Sequence, residues 1–481
     1  MSTVKRITRN SVWQFASNLV QKAFSLIIVV ILAKKFGVDN FGLYSFAFSF
    51  VAVFSIFADF GINNFLVREI ARDSQNARKL LSNGLTAKLL LSILSFGAIL
   101  LSGILLGLDN YKLFLVLLAG ASLLLDGLAG LFRGVFFSFE IFKYETIVSF
   151  LYRSLLLGLS LGVFFFGFGL VELLIVAVVS SLFNLVASIY FTGKHAILPS
   201  FGFSFEGLFS IYRASSNFLL LGVVMNIFAN ADILLLQKFW SQTEVGLYSG
   251  AIRLVSTLTL VSVIFMNSVH PVATKFFAQN QKSMETVVNK SLFYLAVFIL
   301  PVAIGTSILS KDIVLFFYDT DFLQTTTPLV ILGFAHIFSF SNHVFITMLL
   351  SAKREKDAFK QMLFSTAFNV AANLVFFIPA LSIVGAATAK LLAEMVSFSI
   401  GYFFVSKHIA PISLPKVYLR PLIAAVLMGI TTVMFYTIAG FYLAVVLSAL
   451  TYTVFLFAVK AFSEDDISFF KKMLFAFSFR K

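Results

Sequence analysis

Fourteen long apolar runs dominate this sequence and leave few folds open to it. They fall at roughly 10–33, 41–66, 84–107, 111–132, 146–168, 170–192, 212–236, 245–271, 291–310, 326–350, 358–380, 382–405, 421–440 and 441–461. Each is about 18–25 residues long, the length at which an α-helix crosses the hydrocarbon layer of a bilayer. Lipid offers no hydrogen bonds, so such runs must satisfy their backbone internally, as helices. The chain therefore reads as an all-α polytopic membrane protein with about fourteen transmembrane helices. Composition excludes the soluble alternative: of 481 residues, 59% are hydrophobic and only 12% charged, against about a quarter charged in soluble domains.

Cations supply the orientation. Cytoplasmic loops of membrane proteins carry the excess of Lys and Arg. With the N-terminus inside, the loops placed inside hold 27 of the 36 cations, in groups that begin with Lys5, Arg6 and Arg9 and with Arg68, Arg72, Arg78, Lys79 and Lys88. The outside loops hold only Lys34, Lys35, Lys112, Lys238 and Lys311. A missed span would invert the alternation partway, and it does not invert. Both termini are predicted cytoplasmic, and the basic start, lacking a small-residue cleavage site, reads as a retained first span. The net charge of +14 thus reflects membrane orientation rather than nucleic-acid binding.

Few catalytic chemistries are open to such a chain. There is no cysteine, which removes disulfides and thiolate metal sites, and the five histidines show no ligand spacing. Gly193-Lys194-His195 lacks the upstream glycine and following Ser/Thr of a nucleotide-binding loop. No enzyme activity, metal or cofactor is expected, and H+ or Na+ is left open as a coupling ion. Asn289-Lys290-Ser291 fits a glycosylation pattern but falls in a loop placed inside. The tail KKMLFAFSFRK mixes Lys, Arg and Phe as an interfacial helix does.

The sequence also repeats itself. ILAKKFGVDNFGLYS, 31–45, aligns without gaps on LLQKFWSQTEVGLYS, 235–249, at an offset of 204, which sets Ser49 on Arg253 and Asn63 on Asn267. A repeat of this kind marks two related bundles of about six helices each, pointing the same way across the membrane. The predicted organisation is a first bundle over 1–200, a second over 201–410, and two extra helices with a cytoplasmic tail over 411–481, the two bundles enclosing a central cavity.

Ionisable residues inside spans mark functional candidates, because lipid gives them nothing to bind. Eight fall there: Lys22, Arg153, Arg253, Lys390, Asp59, Asp126, Asp232 and Glu394. Lys390 and Glu394, four apart, can neutralise each other on one helix. Asp126 reads as a near-interface partner of Arg133, and Asp232 as lying close to the outer surface. Three polar stripes remain: Gln14, Asn18, Lys22 and Ser25; Ser45, Ser49, Asp59 and Asn63; and Ser249, Arg253, Ser256 and Asn267. They predict a water-filled cavity whose substrate-binding residues are Arg253, Lys22, Arg153, Asn18, Ser49, Asp59, Asn63, Ser256 and Asn267.

The opening SVWQFASNLVQKAFSLIIVVILAKKFGVDNFGLYSFAFSFVAVFSIFADFGINNFLVREIARD and the later ADILLLQKFWSQTEVGLYSGAIRLVSTL resemble polysaccharide-transport (Wzx-type) flippases. These belong to the multidrug/oligosaccharidyl-lipid/polysaccharide exporter superfamily. The resemblance implies two six-helix bundles with two helices following. It also implies a plasma- or inner-membrane protein carrying a polyprenyl-(pyro)phosphate-linked oligosaccharide to the outer leaflet, with membrane lipids and glycan-assembly enzymes as partners and no nucleic acid. Arg253, with Lys22 and Arg153, would then attract the anionic linkage, for which a planar guanidinium is suited. Competing expectations are an ion-coupled exporter of cationic drugs from the same superfamily, a peptidoglycan-precursor flippase, and a non-transporting scaffold. Unpaired acids should dominate the cavity of a cation exporter, whereas here cations equal acids.

Overall fold

The structure, a computed structural model, describes residues 3–199, 205–279 and 281–464; side chains are described from residue 21 onward, except at 22, 205–206, 217–218, 278–279 and 281–282. The side chains of Asn18 and Lys22 and the basic tail therefore lie outside the described residues. Every regular element among the described residues is helical: α1 Thr3–Asp59, α2 Ile62–Arg72, α3 Ala77–Leu105, α4 Asn110–Ser138, α5 Phe142–Phe165, α6 Leu170–His195, α7 Phe205–Phe239, α8 Gln242–Gln279, α9 Gln281–Phe317, a short 3-10 turn Thr320–Thr325, α10 Thr326–Ser351, α11 Glu355–Ala372, a π-helical stretch Asn373–Phe377, α12 Ile378–His408 and α13 Leu414–Ala458.

Eleven helical stretches among the described residues are long and apolar enough to cross a membrane. Three of them, Ala23–Arg72, Glu355–His408 and Pro415–Ala458, have 50, 54 and 44 residues, far too long for one crossing at about 1.5 Å per residue. Each contains a residue that breaks the helix: Gly37 (φ 72°, ψ 179°), Ser382 (φ 50°, ψ −129°) and Gly440 (φ 72°, ψ −179°). Residues with a Cβ are strained at Gly37 and Gly440, so glycine stands where these helices turn into the next. Dividing at the three breaks takes the eleven stretches to fourteen segments, which fits the number expected from the sequence.

The chain forms two compact units, one of residues up to Arg253 with Val370–Ala386, the other of Leu254–Asn369 with Ala387 onward. These are units of packing, whereas the bounds at 200 and 410 expected from the sequence follow the repeat. In the first, α1 packs along α3, α4, α5 and α7, and α4 lies against α6. Its apolar core gathers Ile62, Phe65, Leu81, Leu131, Phe132 and Ile211. In the second, α9 packs between α10 and α13 over a larger apolar cluster that includes Leu292, Ile299, Phe340, Phe345 and Met428.

The repeat is physically present. Leu32, Phe41, Leu43, Ser45, Ala47 and Val51 are buried, and so are Leu236, Val245, Leu247, Ser249, Ala251 and Val255, each 204 residues on. α3 and α9 also begin at that offset, at Ala77 and Gln281. Within the first unit the two copies touch through equivalent atoms. The Thr243 hydroxyl donates to Asp39 at 2.5 Å, a pair separated by the repeat length itself. A Cβ added to Gly42 would meet the Gln242 carbonyl oxygen at 1.8 Å, and one added to Gly246 would meet that of Val38 at 2.1 Å. Those contacts are reciprocal, as a local two-fold axis requires, and only glycine permits so close an approach.

Candidate functional site

The first unit carries most of the buried charge described. Lys88, on α3, is 1% exposed and donates to Asp59 at 2.6 Å and to the Asn63 amide oxygen at 2.9 Å. Sequence reasoning grouped Lys88 with a cytoplasmic loop, and the structure corrects this. α2 and α3 occupy nearly all of the supposed loop, leaving Lys88 about three turns into α3 from its start at Ala77. Deep burial of an ammonium demands a partner, and Asp59 supplies it.

Asp126 also departs from expectation. Arg133, seven residues along the same helix and so about 10 Å away along its axis, turns instead to Glu145 at 3.9 Å and donates to Ser149. Asp126 accepts from the Tyr152 hydroxyl and from the Asn184 amide, each at 2.7 Å. Asp232 is likewise corrected: wholly buried, it accepts from Tyr248 at 2.9 Å and from Asn373 at 2.8 Å. Sequence spacing shows none of these partners, because each comes from another helix.

Arg153, on α5, is half-buried, with its guanidinium 4.9 Å from the Tyr152 ring centre. Its Nε is buried without a hydrogen-bond acceptor, and among the described residues no carboxylate lies within ion-pair distance of it. Arg253, on α8, is half-buried, and its charge and that of Arg153 both reach the Tyr44 hydroxyl. Two guanidinium groups and a phenol from three helices thus gather in one region of the first unit. Ser49 is buried nearby in sequence on α1, while Asp59 and Asn63 converge on Lys88. Ser256 and Asn267 follow on α8 within the second unit, half-buried and exposed respectively.

In the second unit several buried polar groups pair with one another. Glu394 accepts from the Asn342 amide at 2.7 Å and feels the charge of Lys390 on its own helix. Gln361 donates to Asn342 and Ser397, and His343 shares a hydrogen bond with Ser262 at 2.6 Å. Asn289 is also engaged, donating to the Glu285 and Pro411 carbonyls and accepting from the Ser413 amide, which pins the approach to α13.

Comparison with known proteins adds the family. A model of the family described as polysaccharide biosynthesis protein matches residues 7–277, more than half of the chain. The chain belongs to the polysaccharide biosynthesis protein family. A curated relative from Haloferax volcanii, the "Probable low-salt glycan biosynthesis flippase Agl15", is 23% identical over 209 residues, which are 43% of this chain and 44% of that protein. The chain thus matches somewhat less than half the length of that relative. Among solved structures, the lipid II flippase MurJ in an inward closed conformation matches with a TM-score of 0.78 and 17% identity, over 92% of this chain and 97% of that one. An inward-facing multidrug resistance MATE family transporter matches with a TM-score of 0.68 and 15% identity, over 81% and 94%. The fold is therefore the one these transporters share, and its many long apolar helices make this family member a multi-pass membrane protein. Its relatives are described as flippases and transporters, not as enzymes.

Proposed function

We propose that this protein translocates a polyprenyl-(pyro)phosphate-linked oligosaccharide from the cytoplasmic to the outer leaflet of the cell membrane, by alternating access, for surface glycan assembly. Both termini are then cytoplasmic, and residues 1–200 and 201–410 are the two repeated bundles. The observation that carries the reading is that Arg153 and Arg253 both lie within electrostatic reach of Tyr44, with a buried Arg153 Nε that still has a hydrogen bond to give. A fixed cation deep in a span needs an anion. The phosphate between sugar and lipid tail is one, and a guanidinium fork can grip two of its oxygens. The same feature disfavours an exporter of cationic drugs, which these arginines would repel. A peptidoglycan-precursor flippase offers the same phosphate chemistry with a different sugar, and the glycan named in the Haloferax volcanii relative tilts the reading towards an oligosaccharide.

The test is to replace Arg253 by Ala and by Lys, and to follow a labelled lipid-linked oligosaccharide across vesicles holding the purified protein. Loss of one charge-assisted contact, about 1.5–3 kcal/mol, corresponds to about a 10- to 100-fold slower transfer in Arg253→Ala. Partial recovery is expected with Lys. Wild-type rates in both variants would remove Arg253 from the mechanism, and transport of an organic cation in place of the glycolipid would overturn the reading.

A further inference from the structure

The tyrosine of the repeated Gly-Leu-Tyr-Ser stands in two different settings. In the second copy it is Tyr248, wholly buried, whose hydroxyl donates to the Asp232 carboxylate at 2.9 Å. In the first copy it is Tyr44, 204 residues earlier and only half-buried. At the same offset, the residue that corresponds to Asp232 is Ile28, which is buried and has no side-chain atom able to accept a hydrogen bond. The register therefore denies Tyr44 the acceptor that its twin uses. Among the described residues no other group takes its proton.

The first unit sets Tyr44 among cations instead. α1 packs along α5, with Phe24 against Phe150 at 6.1 Å and Phe36 against Phe164 at 5.4 Å between ring centres. Arg153 lies on α5 between those two contacts, and the break at Gly37 turns the chain back so that Tyr44 follows it. On the other side, Gly42 and Gly246 press the second half of α1 against α8. Arg253 stands about 10 Å further along the α8 axis than Gly246. The Tyr44 ring is held by Phe48 at 4.6 Å, and both guanidinium charges are felt at its hydroxyl. A guanidinium accepts no hydrogen bond, so neither arginine can take the phenol proton. The Arg153 Nε–H is likewise a buried donor without an acceptor. Lys22, whose side chain lies outside the described residues, could bring only one more donor. Donors gathered in this way suit a ligand rich in acceptor oxygens and negative charge.

We propose that Tyr44 is a binding residue for the phosphate of the carrier lipid, its hydroxyl donating to a phosphate oxygen whose charge Arg153 and Arg253 neutralise. The inference rests on the flippase reading and adds a residue to that site. The arginines draw an anion by charge, which acts from any direction. An uncharged O–H on a ring held by Phe48 adds a direction, because a hydrogen bond weakens steeply as it bends. The two tyrosines thus divide two tasks: Tyr248 ties down a buried carboxylate, and Tyr44 keeps its hydroxyl for the ligand.

The test titrates farnesyl diphosphate, a prenyl chain with a diphosphate head, into the purified full chain in lipid nanodiscs, with farnesol as the same chain without phosphate. Tyr44→Phe keeps the ring and its contact with Phe48. It should bind the diphosphate about 10- to 100-fold more weakly, with farnesol binding and melting temperature unchanged. Tyr44→3-fluorotyrosine is a more acidic donor of nearly the same size. In mildly acidic buffer, where both phenols keep their protons, it should bind the diphosphate more tightly than the wild type, a trend that packing alone would not follow. Tyr248→Phe should do the reverse of Tyr44→Phe, lowering the melting temperature and leaving the affinity as it was. Wild-type affinity in Tyr44→Phe overturns the proposal, and so does an equal loss of diphosphate and farnesol binding. A fluorinated variant that binds no more tightly than the wild type overturns it too. Arg253→Ala separates the two readings. If it and Tyr44→Phe both bind the diphosphate as the wild type does, the flippase reading fails as well; if only Tyr44→Phe does, the inference about Tyr44 fails alone.

Discussion

The two repeats build the same frame and fill it with opposite chemistry. At an offset of 204, Asp59 falls on Val263 and Lys88 on Leu292. Lys88 and Leu292 are equally buried, each 1% exposed, but Leu292 belongs to the apolar core of the second unit whereas Lys88 holds a carboxylate at 2.6 Å. Hydrocarbon therefore suffices at this position for the helix to form and pack. Buried ion pairs often gain little over apolar side chains of similar size, so stability does not account for the charges in the first repeat. The difference assigns them to function.

The sharpest way to break that comparison is to give the first repeat the solution of the second. Lys88→Leu alone leaves the half-buried Asp59 without its cation and should cost about 1–3 kcal/mol, seen as a fall in the melting temperature of the detergent-solubilised protein. Asp59→Val with Lys88→Leu should recover most of the loss while transport stays impaired. A double variant as unstable as the single one would mean that the pair is needed by the fold, and the contrast between the repeats would lose its meaning.

Where the repeats meet, the effect expected is of similar size. Ala at Gly42 places a methyl group against the Gln242 carbonyl, and Ala at Gly246 does the same to Val38. Neither neighbour is a flexible side chain, so the two segments must part, at about 1–3 kcal/mol for such overpacking. The chain has no cysteine, so Asp39→Cys with Thr243→Cys offers a clean pair for a short thiol cross-linker. Efficient linkage is expected with Gly42 and Gly246 intact and a clear drop in Gly42→Ala. Equal linkage in both would show that the close approach of the two glycines does not hold the segments together.

Much of this architecture was legible because it follows from local pattern. Run length gave the spans, and the Gly-Leu-Tyr-Ser match set the register in which Asp39 and Thr243 meet. The polar interior was less so. Lys88 is 29 residues from Asp59, and Asn184 is 58 from Asp126; no helical periodicity relates residues on different helices. Lys88 stood near the edge of an apolar run and so resembled a loop cation, until α3 proved to start at Ala77. Asp232 misled in the same way, since its neighbours Asn226 and Asn230 suggested a wet surface while its partners Tyr248 and Asn373 come from α8 and the π-helical stretch. The two half-buried arginines, by contrast, were visible at once, because a guanidinium in a span has no ordinary explanation.

The smallest effect separates the repeats at a helix start. Asp109 caps α4, accepting from the Lys112 amide at 2.8 Å and pairing with its ammonium at 3.3 Å. Asp319, ahead of the 3-10 turn leading into α10, makes no such side-chain cap. The Lys112 amide, and after it the Lys112 side chain, hold the Asp109 carboxyl below its ordinary value. A depressed carboxylate stabilises the folded state above the unfolded pKa of about 3.9 and loses that contribution as pH falls through the folded value. The window is therefore below about pH 4, and neutral solution should show the full effect. Asp109→Asn keeps a capping oxygen but not the charge, so it should cost only a few tenths of a kcal/mol for a cap this exposed. Asp319→Asn should cost nothing measurable. Melting curves of both variants at neutral and acid pH decide the matter: a deficit confined to Asp109→Asn and vanishing in acid supports the cap. A deficit that persists in acid would assign it to packing rather than charge.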